Sequence, residues 1–171
     1  LWAVLVGGSV FLTLLPWLPP LRKAPPAVVN LENCNGCGRC FADCPFGAIT
    51  MVGRTDGAEF DQEARVDADM CMSCGICVGA CPTATPFRRA SALVPGIELP
   101  SDPVAGLRDL VVAATAKLQG NNRVVVVRCA HAGNLDALAD TGVAVLAMPC
   151  VGMLPPSFID LVISRKHADG V

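Results

Sequence analysis

The chain has 171 residues, enough for one or two small domains, and its formal net charge of −2 gives no sign of the basic surface that nucleic-acid binding needs. Hydrophobic residues make up 53% of the chain and charged residues 16%, which is a more apolar composition than is usual for a soluble protein. The sequence begins at Leu1 without a methionine and ends at Val171 in what reads as the start of a strand. We therefore expect it to be part of a longer protein.

The first 18 residues, LWAVLVGGSVFLTLLPWL, carry no charge. A spanning helix needs about 20 apolar residues, and basic residues such as Arg22 and Lys23 favour the cytoplasmic side of a span. We therefore predict a transmembrane helix over residues 1–20, with the rest of the chain facing the cytoplasm. A signal peptide or a buried helix is the alternative. The ending LPWLP, from Leu15, is similar to the last span of a cytochrome-b-like membrane domain.

Two cysteine runs of identical spacing dominate the middle of the chain. The pattern C-x-x-C-x-x-C-x-x-x-C-P begins at Cys34 and is repeated 37 residues later from Cys71. Three thiolates at this spacing can wrap a loop around three iron corners of a [4Fe–4S] cubane, and the fourth corner needs a ligand from elsewhere. A disulfide framework fits four closely spaced thiols poorly, and zinc sites need only two C-x-x-C pairs. The pattern therefore predicts iron–sulfur ligation.

Residues 27–97, which contain both runs, resemble the bacterial-type two-[4Fe–4S] ferredoxin domain. The resemblance implies an α+β ferredoxin-like fold in which the fourth cysteine of each run serves the other cluster. Iron–sulfur chemistry also implies a reducing compartment, normally the cytosolic side. The implied ligands are Cys34, Cys37, Cys40 and Cys81 for cluster 1, and Cys71, Cys74, Cys77 and Cys44 for cluster 2.

Glycine and proline recur at equivalent places in the two runs. Gly38 and Gly75 lack a Cβ atom, so we predict that the backbone approaches the clusters there and directs N–H groups at their sulfurs. Pro45 and Pro82 are predicted to end the short helix that carries the fourth cysteine of each run.

Short strands are predicted around the first run, at Val28–Leu31 before it and Ala48–Val52 after it. Residues 53–70 form an acidic insertion whose glycines predict a hairpin. A solvated hairpin face is the favoured interpretation of this insertion. A docking surface for a basic redox partner is the alternative, because complementary charge raises encounter rates.

The proline-bearing segment 83–101 reads as a linker. Asp102 and Pro103 then predict the N-cap and first residue of a helix that closes at Gly120. Four consecutive valines between Arg123 and Arg128 predict a fully buried strand of the kind that parallel sheets use.

The remaining elements continue the same alternation. Asn134 is predicted to cap a short helix, and residues 143–148 form a second buried strand. Ser157 with Asp160 has the pattern of a capping box before a helix over residues 158–166. Gly170 begins a third strand. Strands alternating with helices predict a small parallel α/β domain over residues 102–171.

Cys129 and Cys150 each follow the end of a predicted buried strand. Ligands of open parallel sheets bind at the carboxyl ends of the strands, so the two thiols would share one functional edge if the strands are neighbours. Two thiols cannot complete a cluster alone, and two buried apolar thiols are the alternative.

Residues 122–171 also resemble the delta subunit of methyl-viologen-reducing hydrogenases, through RCAHAG from Arg128, MPCVG from Met148 and ADGV from Ala168. The resemblance implies a [2Fe–2S] cluster, with the two cysteines outside the runs at family positions, and electron transfer to heterodisulfide-reductase-type complexes. Val126 stands where that family has a further cysteine.

The sequence as a whole predicts a membrane-tethered electron-transfer protein. Two [4Fe–4S] clusters would relay single electrons between a membrane redox domain and a cytosolic partner such as a hydrogenase or heterodisulfide-reductase-type complex. The first alternative is an oxidoreductase subunit whose α/β domain binds a flavin or nucleotide, although Gly133 stands alone where a glycine-rich fingerprint would be needed. The second alternative is a protein whose clusters are purely structural or sensing. No catalytic residue is predicted.

Overall fold

The structure is a computed structural model that describes residues 1–14, 24–88 and 93–171. These ranges form a mixed α/β protein, and three two-stranded sheets are found among them. The last part of the predicted span, with Arg22 and Lys23, lies outside the described residues.

Helix α1 (Trp2–Leu14) occupies most of the described N-terminal range. Its side chains as far as Thr13 are exposed to solvent. No helix in the described parts of the chain has both the length and the apolar character needed to cross a membrane.

Two half-repeats build residues 24–88 and 93–99, each with a strand, a cysteine-bearing loop, a short helix and a second strand. The elements are β1 (Val28–Val29), α2 (Arg39–Ala42), β2 (Ile49–Gly53), β3 (Gln62–Val66), α3 (Ile76–Ala80) and β4 (Ile97–Glu98). Strand β1 pairs with β4 and β2 with β3, both antiparallel. Because each of these two sheets contains one strand from each half, the two halves of the duplication are hydrogen-bonded to each other.

The strands around the first run differ slightly from prediction. The predicted strand at 28–31 ends at Val29, because the carbonyl of Asn30 accepts hydrogen bonds from the N–H groups of Asn33 (3.2 Å) and Cys34 (2.9 Å) and so turns the chain. The return strand begins one residue later than predicted, at Ile49. The predicted hairpin is present, and its two strands are β2 and β3.

The prediction that residues 83–101 are linker is wrong for the described part from residue 93 onward. Leu93, Ile97 and Leu99 are fully buried, with 2%, 1% and 0% of their surface exposed. Apolar residues between the prolines supply strand β4, which completes the sheet with β1. The segment is therefore part of the core.

A parallel pair of strands lies at the centre of the C-terminal part. Its elements are α4 (Val104–Thr115), β5 (Val124–Cys129), β6 (Val143–Met148) and α5 (Pro156–Ser164), with 3₁₀ turns at Asp136–Leu138 and Val151–Met153. Strand β5 pairs with β6 on one side, and Val124 forms a parallel bridge with Gly170 on the other. The valine strand is therefore central, as predicted, but it is not fully buried, because only Val125 is buried and the other valines are half-buried.

Two helix starts differ from the sequence prediction. Helix α4 begins at Val104 after Pro103, and its first N–H donates to Glu98 Oε1 (2.7 Å) instead of to Asp102. Helix α5 begins at Pro156, two residues before the predicted start, because proline favours the first helical position. The predicted capping box is absent there, and Ser157 Oγ instead donates to the carbonyl of Ala84 (3.3 Å).

The segment after β5 also contains less helix than predicted. Asn134 Oδ1 accepts a hydrogen bond from the N–H of Asp136 (2.7 Å), which is the local bond of an Asx turn. Only the 3₁₀ turn Asp136–Leu138 follows it, in place of a longer helix.

The two parts of the chain share a continuous hydrophobic core. The 3₁₀ turn Val151–Met153 lies directly on α3, and Gly79 contacts the carbonyl oxygen of Gly152 so closely that a Cβ atom there would collide with it. The helix that carries Cys77 is therefore held by the C-terminal part of the protein.

Candidate metal centres

The eight run cysteines surround two cavities, which we call site 1 and site 2. Each cavity is lined by the first three cysteines of one run and the fourth cysteine of the other. The volumes are about 310 Å³ for site 1 and about 340 Å³ for site 2, counting space open to solvent. Site 1 is lined by Cys34, Cys37, Cys40 and Cys81, and site 2 by Cys71, Cys74, Cys77 and Cys44.

Glycine begins both short helices at these sites. Gly38 (φ +73°) and Gly75 (φ +79°) are the N-caps of α2 and α3, in the left-handed conformation that glycine adopts without strain. The helices carry the third cysteine of each run, not the fourth as predicted. Cys44 lies beyond the end of α2, and Cys81 is the C-cap of α3.

Burial and neighbouring thiolates raise the pKa of Cys40 to about 11. After burial, the largest causes are the charges of Cys37 and Cys81, which raise the pKa. A hydrogen bond from the Phe41 N–H lowers it, and the charge of Cys34 makes a smaller contribution that raises it. The interacting thiols are therefore the other three that line site 1. A thiol with this pKa is protonated at neutral pH, so metal binding there releases a proton.

Cys77 behaves in the same way at site 2. Burial, followed by the charges of Cys74, Cys40, Cys71 and Cys44, raises its pKa to about 12. Three of these four neighbours line site 2, and Cys40 belongs to site 1. The two sites are therefore close enough for their buried thiols to interact.

The donor set fits a cluster better than a single ion. All ten cysteines lie within the described ranges and are free of disulfide bonds. Within those ranges, no three His, Cys, Asp or Glu side chains gather as ligands of one metal ion. Four thiols spread around a cavity, instead of converging on a point, suit a cubane whose iron atoms stand at separate corners.

Two hydrogen bonds reach cysteine sulfurs. The N–H of Ala27 donates to Cys71 Sγ (3.5 Å), and the Thr83 hydroxyl lies 3.1 Å from Cys81 Sγ. Thr83 Oγ1 already accepts the N–H of Gly96 (2.7 Å), so its own proton is available to the sulfur. Neither contact is evident from the sequence, which predicts the glycine N–H groups as donors instead.

A serine fixes the loop of site 2. Ser73 has φ +53°, the left-handed conformation that its equivalent Gly36 adopts in the first run. Its buried hydroxyl lies 2.7 Å from the carbonyl oxygen of Pro25 and 3.0 Å from that of Ala24. The chain entering β1 is thereby tied to the second cysteine loop.

Arg54 fixes the loop of site 1 in a similar way. The sequence does not predict this role, because Arg54 lies in the insertion interpreted as a solvated acidic face. Its Nη1 donates to the carbonyl of Cys34 (2.8 Å) and its Nη2 to that of Leu31 (3.0 Å). The same guanidinium binds both carboxylate oxygens of Asp56, at 3.0 Å and 2.6 Å. This pairing holds the pKa of the Asp56 carboxyl down at about 2, so the ion pair is fully charged at neutral pH.

Cys129 and Cys150 lie at the carboxyl edge of the parallel pair. Cys129 is the last residue of β5, and its thiol donates to the carbonyl of Pro149 (3.2 Å). Cys150 precedes the 3₁₀ turn, and a Cβ atom on Gly152 would lie 3.7 Å from its Sγ and 3.1 Å from Ile76 of α3. Both thiols are half-buried, and the second lies beside the helix that carries a site 2 cysteine.

Residues 33–85 match the family profile of the 4Fe-4S dicluster domain. This segment, which contains all eight run cysteines, is therefore an iron–sulfur domain of ferredoxin type. No curated protein and no solved structure matches the chain significantly. The comparisons give no support to the resemblances of the C-terminal part to a hydrogenase delta subunit and of the N-terminal segment to a cytochrome-b-like domain.

Proposed function

We propose that this protein relays single electrons between redox protein partners through two [4Fe–4S] clusters. The observation that carries this proposal is the pair of similar cavities, each surrounded by four thiols from both cysteine runs. A [4Fe–4S] cluster supplies reversible one-electron chemistry when bound. The role of the chain is to hold the clusters, set their potentials and present them to partners.

The proposed ligands follow the cavities. Cys34, Cys37, Cys40 and Cys81 would hold cluster 1, and Cys71, Cys74, Cys77 and Cys44 would hold cluster 2. The neighbours whose charges raise the pKa of the buried thiols support this crossed arrangement, because they include the fourth cysteine of the opposite run in each case.

Electron transfer between the two sites is supported by their closeness. Cys40 of site 1 is among the groups that raise the pKa of Cys77 of site 2. Helices α2 and α3, which carry these cysteines, also contact each other. Buried ligands on adjacent helices would place the two clusters side by side, as a relay requires.

The C-terminal part is proposed as a docking and relay unit, as its resemblance to a hydrogenase delta subunit implies. Cys129 and Cys150 at its edge would hold the [2Fe–2S] cluster of that resemblance, and the contact of the Val151–Met153 turn with α3 supports a route from site 2 to this edge. Such a cluster would raise the iron content from eight to ten atoms per chain. Ligands beyond these two cysteines would be needed.

Membrane attachment on the cytoplasmic side is proposed for the N-terminal segment. Its support is the absence of charge in residues 1–18 and the exposed apolar surface of α1, which water solvates poorly. Protease added outside sealed vesicles should leave residues 24–171 intact, and cleavage there from outside would contradict the orientation.

The relay function is tested by replacing one ligand of each site. Cys44→Ser should perturb the EPR signal of reduced cluster 2, and Cys81→Ser that of cluster 1. If Cys44→Ser instead perturbs the cluster of its own run, the crossed ligation is wrong. Reversible reduction of both clusters by a low-potential donor should accompany eight or ten irons per chain. Clusters that cannot be reduced and reoxidised would point to a structural role.

A further inference from the structure

The side chain of Arg54 has little contact with solvent although the residue lies at the start of an exposed loop and is half-buried as a whole. It follows β2 directly, and most of residues 55–62 are exposed, yet only 4% of its side chain is accessible to solvent. Its guanidinium is held by the carbonyl oxygens of Leu31 and Cys34, on the loop that carries the first ligand of site 1. A cation beside a cysteine ligand lowers the free energy of adding negative charge to the site.

The ion pair with Asp56 is asymmetric. The Asp56 side chain is 41% exposed, ten times the fraction of Arg54. Solvent screens an exposed carboxylate much more strongly than a buried guanidinium. The guanidinium, which contacts the Cys34 carbonyl oxygen, is therefore less screened by water than the carboxylate.

The described side chains that line site 2 are its four thiols and glycine, proline and apolar residues. The loop between its first two cysteines is tied by the neutral Ser73 hydroxyl, which contacts the carbonyl oxygens of Ala24 and Pro25. The contact that Arg54 makes lies at site 1.

We propose that Arg54 is a positioning residue for cluster 1, fixing the loop from Leu31 to Cys34 and making that cluster easier to reduce. The inference rests on the proposed function. Reduction adds one electron, supplied by a redox partner, and therefore one negative charge to the cluster. A positive charge beside Cys34 stabilises this state relative to the oxidised one, and no bond or proton changes place.

Three variants separate charge from structure. Arg54→Gln should lower the ratio of reduced to oxidised cluster 1 at fixed potential about tenfold, equal to about 59 mV for one electron. Asp56→Asn leaves the guanidinium without its counter-charge and should raise the same ratio about threefold. Arg65→Gln removes an exposed charge from the same hairpin and is the control. EPR-monitored redox titration of the full chain measures all three, with the signals assigned by Cys44→Ser and Cys81→Ser.

Opposite shifts of cluster 1 in Arg54→Gln and Asp56→Asn, with cluster 2 unchanged, would support the proposal. Any other pair of shifts in the reduction potential of cluster 1 would overturn it. Loss of a purely structural contact would shift that potential in the same direction in both variants. If Arg54→Gln binds four irons fewer than the wild type, Arg54→Lys replaces it and should restore the wild-type ratio to within about threefold because the charge is kept. A wild-type chain without reducible clusters would instead refute the proposed function itself.

Discussion

Thr83 is expected to set the potential of cluster 1 through its hydroxyl. The hydroxyl accepts the Gly96 N–H and lies 3.1 Å from Cys81 Sγ, to which it would donate once that cysteine binds iron as a thiolate. A hydrogen bond to a ligand sulfur stabilises the reduced cluster. Thr83→Val removes both bonds while keeping the shape of the side chain. We expect a lower reduction potential for cluster 1 and a loss of about 1–3 kcal/mol in stability, because the Gly96 N–H is left unsatisfied. Redox titration and denaturant unfolding measure the two effects.

Thr83→Ser is the matched control, since it retains the hydroxyl and should keep both the potential and most of the stability. Cluster 2 should be unchanged in either variant. An unchanged cluster 1 potential in Thr83→Val would show that the hydroxyl does not act on the sulfur.

The residues that could be predicted from the sequence are those whose role follows from their spacing along the chain. The eight ligand candidates follow from the intervals within each run. Thr83, Ser73 and Arg54 could not be predicted, because each acts on backbone atoms far away in the chain: Gly96, Pro25 and Cys34 lie 13, 48 and 20 positions from them. Spacing carries no signal for such contacts.

At the scale of the elements, α3 and the Val151–Met153 turn approach each other closely at Gly79. Replacing glycine by alanine inside a helix ordinarily stabilises it by up to about 1 kcal/mol. At Gly79 the sign should reverse, because the new Cβ atom would collide with the Gly152 carbonyl oxygen, a backbone atom that cannot rotate away. We expect Gly79→Ala to destabilise the protein by about 1–3 kcal/mol, measured by denaturant unfolding.

Gly106→Ala in α4 is the matched control for this prediction. Its nearest neighbour would be the Pro103 side chain at 3.5 Å, an ordinary van der Waals contact, so the usual helix-stabilising effect should appear. Equal effects of the two substitutions would mean that the turn does not lie against α3 in solution.

Element types were easier to predict than element ends. The four valines of β5 predict a central, fully buried strand. The pairing with β6 and the bridge to Gly170 confirm the central position, but only Val125 is buried and the other three valines are half-buried. The start of α5 was misplaced because Ser157 resembles a cap in the sequence, whereas Pro155 and Pro156 fix the backbone two residues earlier. Serine at that position is used for a contact with Ala84 instead.

At the scale of the whole molecule, the sequence predicts two domains joined by a linker, but the described part of that segment from residue 93 onward belongs to the core. Leu99, Phe158 and Val78 belong to the same buried cluster, although they come from the segment interpreted as a linker, the α/β part and the ferredoxin part. The sequence does not indicate this shared core, because the prolines between residues 83 and 101 are typical of a linker. The apolar residues Leu93, Ile97 and Leu99 in the same segment are nevertheless buried.

A shared core predicts that the C-terminal part stabilises site 2. Met153 is 1% exposed, and a Cβ atom on Gly75 would lie 2.7 Å from its Cγ, so its side chain packs against the N-cap of α3. Met153→Ala should cost about 2–5 kcal/mol and accelerate the loss of iron from cluster 2 to a chelator more than from cluster 1. Leu146→Ala, in β6 and 4% exposed, is the control: it should cost a similar free energy of unfolding without favouring either cluster. Iron release followed by the EPR signals of the two clusters distinguishes these outcomes. If Met153→Ala and Leu146→Ala release iron from the two clusters in the same proportion, the faster iron loss reflects lower overall stability. The turn would then not stabilise site 2 specifically.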